Sequence, residues 1–242
     1  PDVPPAENPG VQLGLALAAA AKHGRDKLTL TGAQRIASFG AWAEQLIAES
    51  TGKNGKALIP LEGEPLGKPE IYGKDRVFID LRLEDDRDSA RDAALAALEA
   101  AGHPVIRITV TAPAHIGQEF FRFEIATAVA GAVMGINPFD QPDVEAAKIK
   151  TRELTSAFEK SGALPAETAV ASDGSIAIYT DAANADALRK AGAGSDLASW
   201  LKAHLGRIKA NDDVAALAYL DRNDANIAAI QHLRMAIRDN KR

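Results

Sequence analysis

Hydrophobic residues recur along the chain in two patterns, short apolar runs and longer stretches with helical spacing. The short runs predict strands at 27–30, 57–60, 77–83, 105–110, 175–180 and 214–220. The longer stretches predict helices at 11–24, 34–50, 85–102, 118–135, 141–161, 181–206 and 224–238. A strand followed by a helix, repeated in this way, favours a parallel sheet with helices on both faces. The predicted fold class is therefore an α/β three-layer sandwich with a mainly parallel sheet.

The domain organisation is predicted from proline content and from the ends of the chain. Four prolines within residues 1–9 predict an extended lead-in over 1–10. Residues 11–242 are expected to form one subdomain, with a core at about 25–160 and an extension at about 161–242. The stretch 162–174 could be a linker, but we do not expect it to separate two independent cores. The chain lacks an initial Met and ends directly after a predicted helix, so we expect a piece of a longer protein, although simple processing would give the same ends.

Charge and cysteine content exclude several classes of function. The chain has 28 Lys and Arg against 33 Asp and Glu, a formal net charge of −5, and this acidic balance argues against a nucleic-acid partner. The lack of cysteine excludes disulfides and thiolate chemistry. The longest apolar stretch, 13–21, is too short to span a bilayer, and no signal peptide opens the chain, so we expect a cytoplasmic protein with no membrane partner. The histidines are not paired at metal-ligand spacing, and no metal site is expected.

The first candidate for chemistry is the end of the predicted helix 34–50. Gln45 and Glu49 are four residues apart and share one helix face, where Glu49 could act as a general base. The next loop carries Lys53 and Lys56, which could hold an anion. Because ligands of parallel sheets bind at the edge formed by the carboxyl ends of the strands, we expect Glu49 to face a pocket at the rim of the sheet. On residue types alone, an ordinary solvated helix end is the stronger interpretation of this segment.

The second candidate is the corner between two predicted helices. Asn137-Pro138 breaks the first helix, Asp140 is a natural N-cap for the second, and Pro142 suits the first turn of that helix. Lys148 lies about two turns inside it. On residue types alone, this segment is a capped corner with one outward lysine.

Taken together, the two segments resemble a known family. The run Gln45-x-x-x-Glu49-Ser50-x-Gly52-Lys53, followed later by Asn137-Pro138-Phe139-Asp140-Gln141-Pro142-x-Val144-Glu145-x-x-Lys148, resembles glucose-6-phosphate isomerase. It is most similar to the isomerase half of bifunctional transaldolase/glucose-6-phosphate isomerase fusions, with Asp143 where most members have glycine. The resemblance is strong over about 8–150. It implies a sugar-isomerase (SIS) fold, of which this chain would be the C-terminal subdomain.

The resemblance also implies roles for individual residues. Glu49 would be the catalytic base that moves a proton between C2 and C1 of the hexose 6-phosphate through a cis-enediol, and Lys148 would help to open the ring and steady the intermediate. Gln45 would lie beside the bound sugar phosphate. Lys53 is added from its charge alone, as a residue that could bind an anionic part of the substrate. No metal or organic cofactor is implied.

The chain also departs from the family pattern. The first SIS subdomain, with its Ser/Thr-rich phosphate loop, has no counterpart, and the ring-opening histidine is missing from 63–67. His103 or His115, which flank a predicted strand, could replace it. We therefore expect part of a larger, dimeric isomerase that is inactive alone and that could be joined to a transaldolase domain. The alternatives are a non-catalytic SIS-type phosphosugar-binding regulatory module and a scaffold for a transaldolase partner.

Overall fold

The computed structural model describes residues 3–210 and 212–240 of the chain. Within them the helices are α1 (Pro9–Lys22), α2 (Ser38–Thr51), α3 (Ser89–Ala100), α4 (Gly117–Met134), α5 (Pro142–Ser161), α6 (Ala182–Lys190), α7 (Leu197–Leu205) and α8 (Asp224–Asn240). The strands are β1 (Lys27–Gly32), β2 (Ile59–Glu62), β3 (Arg76–Leu83), β4 (Val105–Val110), β5 (Ala171–Ser172) and β6 (Ala177–Ile178). Among the described residues, no helix is both long and apolar enough to cross a membrane.

The first four strands form a parallel sheet in the order β2-β1-β3-β4. Alternate residues of β3 point to opposite faces, so Val77 and Ile79 join the core beneath α1, α2 and α4, whereas Phe78 joins Leu95 and Leu98 of α3. The chain leaves β1 in one direction to form β2 and leaves β3 in the other to form β4. Right-handed crossovers therefore place α2 and α3 on opposite faces. The predicted α/β sandwich with a parallel sheet is confirmed.

The chain divides into two compact units rather than one. The first unit contains the four-stranded sheet and comprises the described residues 3–141 together with Arg222–Asn240, which include α8. The second comprises Pro142–Asp221 and has its own apolar cluster, formed by Ala185, Leu188, Trp200 and Ala203. The stretch 162–174 lies within the second unit and does not separate the two. Helix α5, which has no buried residue, lies outside the unit that contains the sheet.

Two predicted strands and the predicted start of α1 differ from the structure. The strands differ in their pairing, and the helix differs in the residue that caps it. Residues 214–220 form neither strand nor helix, and Leu217 and Tyr219 are fully exposed, because no described segment pairs with them. The strand predicted at 175–180 is reduced to β6, which pairs with β5. At the other end of the chain, Asn8 accepts hydrogen bonds from the backbone N–H groups of Gly10 and Val11, so α1 begins inside the predicted lead-in.

Helices α1 and α4 pack with their backbones unusually close. A Cβ atom at Gly14 would lie 2.5 Å from the carbonyl oxygen of Ala126, and one at Gly10 would lie 2.9 Å from the side chain of Ile125. Glycine at these positions allows the two helices to approach over the first core.

Helix α8 is held against the loop that follows β2. Gln231 and Arg234 donate hydrogen bonds of 2.7 Å to the carbonyl oxygens of Gly63 and Glu62, and Arg238 donates one of 2.8 Å to that of Pro65. The buried carboxylate of Glu64 lies among three guanidinium groups, at 3.4 Å from Arg76, 3.7 Å from Arg234 and 3.6 Å from Arg238. The charge of Glu64 thus ties α8 to the sheet.

We expect Gly14→Ala to destabilise the chain by about 1–3 kcal/mol, because the added methyl group meets the backbone of α4. The cost of this steric clash is larger than the gain in helix propensity when glycine is replaced by alanine, which is about 1 kcal/mol. Chemical denaturation measures the change. The matched control is Gly117→Ala at the start of α4, where an added Cβ would meet nothing within 4 Å. Equal effects of the two substitutions would contradict the close packing.

The first turn of α4 carries a fully buried carboxyl group. Neither oxygen of Glu119 has a hydrogen-bond partner among the described residues, although Nε of Arg122 lies 3.2 Å from Oε2. Burial raises the pKa of this carboxyl above its ordinary value of 4.5, and the charge of Arg122 opposes the shift. The folded protein therefore binds a proton at Glu119 more readily than the unfolded chain does.

We expect Glu119→Gln to raise the free energy of unfolding at pH 7 by about 1–2 kcal/mol, because it removes a charge that is costly to bury. A raised carboxyl pKa makes the wild type lose stability as pH rises above 4.5, so the advantage of the variant should shrink as pH falls toward that value. Denaturation curves at pH 4.5, 5.5 and 7 test this. Exposed Glu124 lies on the same helix, and Glu124→Gln should show no such trend.

Candidate active site

Helix α2 presents Gln45 and Glu49 on its exposed face. Its opposite face buries Phe39, Ala43 and Ile47 in the first core, which fixes the rotation of the helix. The helix end is fixed as well, since the buried hydroxyl of Thr51 donates to the carbonyl oxygen of Ile47 at 2.8 Å and accepts from the N–H of Leu58 at 2.9 Å. The sequence therefore holds both polar side chains outward on a rigid element.

This helix end lies at the amino ends of the strands and not at their carboxyl ends. Leu58, which Thr51 contacts, directly precedes β2, and the first residue of β2 is in register with the first residue of β1. The cavity at the carboxyl ends of β1 and β2 has a volume of about 240 Å³ and is lined by residues such as Thr31, Gln34 and Glu62, without Glu49. The expected placement of Glu49 in a pocket on that rim is therefore wrong.

A tight turn follows α2. The N–H of Lys53 donates to the carbonyl oxygen of Lys56 at 2.9 Å, and the N–H of Lys56 donates back at 3.0 Å. Between them Asn54 and Gly55 have φ angles of 55° and 71°, the left-handed conformation that such a two-residue turn requires. This turn brings both lysine side chains toward the end of α4.

The side chain of Lys53 is buried against the corner after α4. Its ammonium group donates to the carbonyl oxygens of Asn137, at 3.0 Å, and Asp140, and it lies 3.1 Å from Oδ1 of Asp140. Only 4% of the side chain is exposed. Lys53 was expected to bind an anionic part of the substrate, but in the structure its N–H groups are occupied by acceptors of the chain itself.

The corner after α4 is shaped by its own short-range contacts. Gly135 ends the helix in the left-handed conformation, with a φ of 70°, and the N–H of Ile136 donates to the carbonyl oxygen of Gly131 at 3.0 Å. The side-chain oxygen of Asn137 then accepts from the N–H of Phe139 at 3.1 Å. The carboxylate of Asp140, expected as a helix N-cap, pairs with Lys53.

These two segments bring Gln141 to Glu49. The amide nitrogen of Gln141 donates to Oε1 of Glu49 at 2.6 Å, across 92 residues of chain. No hydrogen bond or ion pair joins Oε2 of Glu49 to another described residue, and Glu49 is an exposed residue. Such a carboxylate, held by one oxygen with the other free, can accept a proton from a bound molecule. Gln141 lies within the second motif, but the sequence does not show that it contacts Glu49. Only the folded structure reveals this role.

The remaining predicted site residues are placed differently. Lys148 is exposed on α5 in the second compact unit, so its pairing with Glu49 stays a prediction. His103 precedes β4 at the amino end of that strand and is buried, with its ring centroid 5.6 Å from that of Phe78. Desolvation lowers its pKa below the ordinary 6.5. His103 therefore lies at the amino end of β4, away from the carboxyl edge of the sheet. His115 lies after β4 and is exposed. Among the described residues, no group of three His, Asp or Glu could hold a metal ion.

Sequence comparison links the chain to one kind of enzyme. No family model matches it. The glucose-6-phosphate isomerase of Rubrobacter xylanophilus is 31% identical over 165 residues, which are 53% of this chain and 38% of that protein. The probable glucose-6-phosphate isomerase of Halobacterium salinarum is 30% identical over 155 residues, 50% of this chain and 36% of that protein. The enzyme of Caldanaerobacter subterraneus is 29% identical over 150 residues, 47% of this chain and 33% of that protein.

Structural comparison supports the fold alone. The crystal structure of a hypothetical protein from Thermus thermophilus matches with a TM-score of 0.52 and 20% sequence identity, over 63% of this chain and 46% of that chain. The chain spans about a third of the length of the curated relatives that it matches. About half of the chain is thus similar, at about 30% identity, to glucose-6-phosphate isomerases, and the resemblance predicted from the sequence motifs is confirmed.

Proposed function

We propose that this chain supplies the part of a glucose-6-phosphate isomerase that carries the catalytic base. Glu49 would move a proton between C2 and C1 of glucose 6-phosphate and fructose 6-phosphate through a cis-enediol. The observation that supports this role is the contact between Glu49 and Gln141, which joins the two sequence segments similar to that enzyme. The similarity to curated isomerases is consistent with it.

The geometry suits proton transfer at carbon. The amide of Gln141 fixes one carboxylate oxygen, and the exposed position of Glu49 leaves the other accessible from outside the sheet unit. Gln45, one helical turn earlier on the same exposed face, is positioned to contact the same ligand. Lys148 remains our candidate for ring opening and for stabilising the charge of the enediol.

The proposed site is incomplete in this chain. Among the residues that the structure describes, none forms a phosphate cradle near Glu49. We therefore propose that the substrate phosphate is bound by a first SIS subdomain outside this chain and that the isolated chain has no turnover. A homodimer and an attached transaldolase domain belong to the same proposal. The alternative, a regulatory phosphosugar-binding module, predicts ligand binding without any dependence of turnover on Glu49.

We expect the 242-residue chain alone to convert no fructose 6-phosphate in an assay coupled to glucose-6-phosphate dehydrogenase. A polypeptide that joins it to the first SIS subdomain should be active. In that polypeptide, Glu49→Gln should lower kcat by about 100- to 10,000-fold, because general-base catalysis is lost. Binding of the substrate, measured by calorimetry, should be retained.

The matched control is Glu44→Gln, the same change on the same helix beside Glu62 rather than Gln141. It should leave kcat unchanged. Survival of turnover in Glu49→Gln would show that the assignment of the base is wrong, and turnover by the isolated chain would refute its proposed incompleteness.

A further inference from the structure

The two lysines of the turn after α2 are both directed at backbone carbonyl groups near the end of α4. Lys53 binds the carbonyls of Asn137 and Asp140 and the carboxylate of Asp140. The ammonium of Lys56 donates to the carbonyl oxygen of Met134, the last residue of α4, at 2.6 Å. We call this set of contacts, made by Lys53 and Lys56 to Met134, Asn137 and Asp140, the lysine clasp.

Burial makes the Lys53 contacts obligatory. An ammonium group taken out of water is costly unless its N–H groups are accepted and its charge is balanced. In this chain the acceptors and the balancing charge all come from Asn137 and Asp140. The buried position of Lys53 is therefore stable only when the corner after α4 has its observed shape.

Lys56 acts at the other end of the same corner. The carbonyl groups of the last turn of a helix have no partner within the helix, and the helix dipole favours a positive charge there. Lys56 meets both requirements at Met134. The corner is thus held at its start by Lys56 and at its end by Lys53.

Gln141 is the residue directly after the held segment. Its position follows from that of Asp140, and Asp140 is fixed by Lys53, which lies four residues after Glu49 in the chain. Two non-covalent contacts therefore join the same two chain segments. Lys53 contacts Asp140, and Gln141, the next residue, contacts Glu49, which lies four residues before Lys53.

We propose that Lys53 is a positioning residue, which with Lys56 holds the amide of Gln141 on Oε1 of Glu49 and so leaves Oε2 free for the substrate. Lys53 acts through Gln141 and makes no contact with substrate. The catalytic consequence rests on the proposed function, whereas the effect on Gln141 is a property of the folded chain that can be measured without turnover.

The structural test is NMR of the side-chain amide of Gln141 in the 242-residue chain, assigned by its loss in Gln141→Glu. In the wild type, the hydrogen bond to Glu49 should displace this signal from that of a solvated glutamine. Lys53→Met should return it to the position that it takes in Glu49→Ala. The matched control, Lys74→Met, removes an exposed lysine of the same unit and should leave the signal in place. An unchanged signal in a folded Lys53→Met would overturn the proposal.

Two milder variants keep the test decisive if Lys53→Met does not fold. Asp140→Asn removes the ion pair at a half-exposed side chain, and Lys56→Met removes the contact to Met134 at an exposed residue. Each should shift the Gln141 signal part of the way toward its solvated position. If neither shifts it, the clasp does not position Gln141 and the proposal fails.

Kinetics in the active polypeptide separate positioning from substrate binding. Lys53→Met should lower kcat by about 10- to 100-fold with little change in KM, because the reacting groups are misplaced while substrate contacts remain. Gln141→Ala should have a similar effect, and the double variant should be no worse than either single one. A rise in KM with unchanged kcat would show instead that Lys53 binds substrate. Retained turnover in Glu49→Gln would refute the proposed function and leave the NMR result standing.

Discussion

A buried ammonium group needs an acceptor for each N–H group, and in this chain that requirement joins two segments that are far apart in sequence. Lys53 finds its acceptors on the corner after α4, and the corner in turn carries Gln141 to Glu49. The candidate site therefore depends on the same interaction that closes the amino-end side of the sheet unit. The acceptors that Lys53 finds there are the carbonyl oxygens of Asn137 and Asp140 and the carboxylate of Asp140.

The sheet and its helices could be predicted from the sequence because each of these elements has its own local signal. Apolar residues alternate along β3 from Val77 to Leu83, and the strand is largely buried on both faces, as a central strand requires. The apolar residues of the helices recur at helical spacing. Residues 214–220 have the same apolar character but form no strand, since hydrophobic patterning cannot supply a partner. Hydrophobic patterning could not predict the division into two units either. It depends on the return of α8 to the sheet, where Arg234 and Arg238 contact Glu64.

The site was predictable in its components but not in its arrangement. The spacing of Gln45 and Glu49 placed both on one exposed helix face, as observed. Which end of the sheet they occupy follows from the length of α2, which runs from the carboxyl end of β1 back to the start of β2. The charge of Lys53 suggests a contact with the substrate, whereas the structure buries its side chain against the corner after α4. A loop rich in glycine and lysine carries no sequence signal for this burial. Lys148 lies beyond the boundary of the first unit, so its role still depends on the family resemblance.

The return of α8 has a consequence for synthesis on the ribosome. All four strands of the sheet emerge before residue 111, but the guanidinium groups of Arg234 and Arg238 that surround Glu64 emerge only after the whole second unit has been made. Until then, Arg76 is the only one of the three described guanidinium partners of Glu64 that has been synthesised. The loop after β2 therefore cannot complete its contacts with α8 until the second unit, which interrupts the sheet unit in the sequence, has been synthesised.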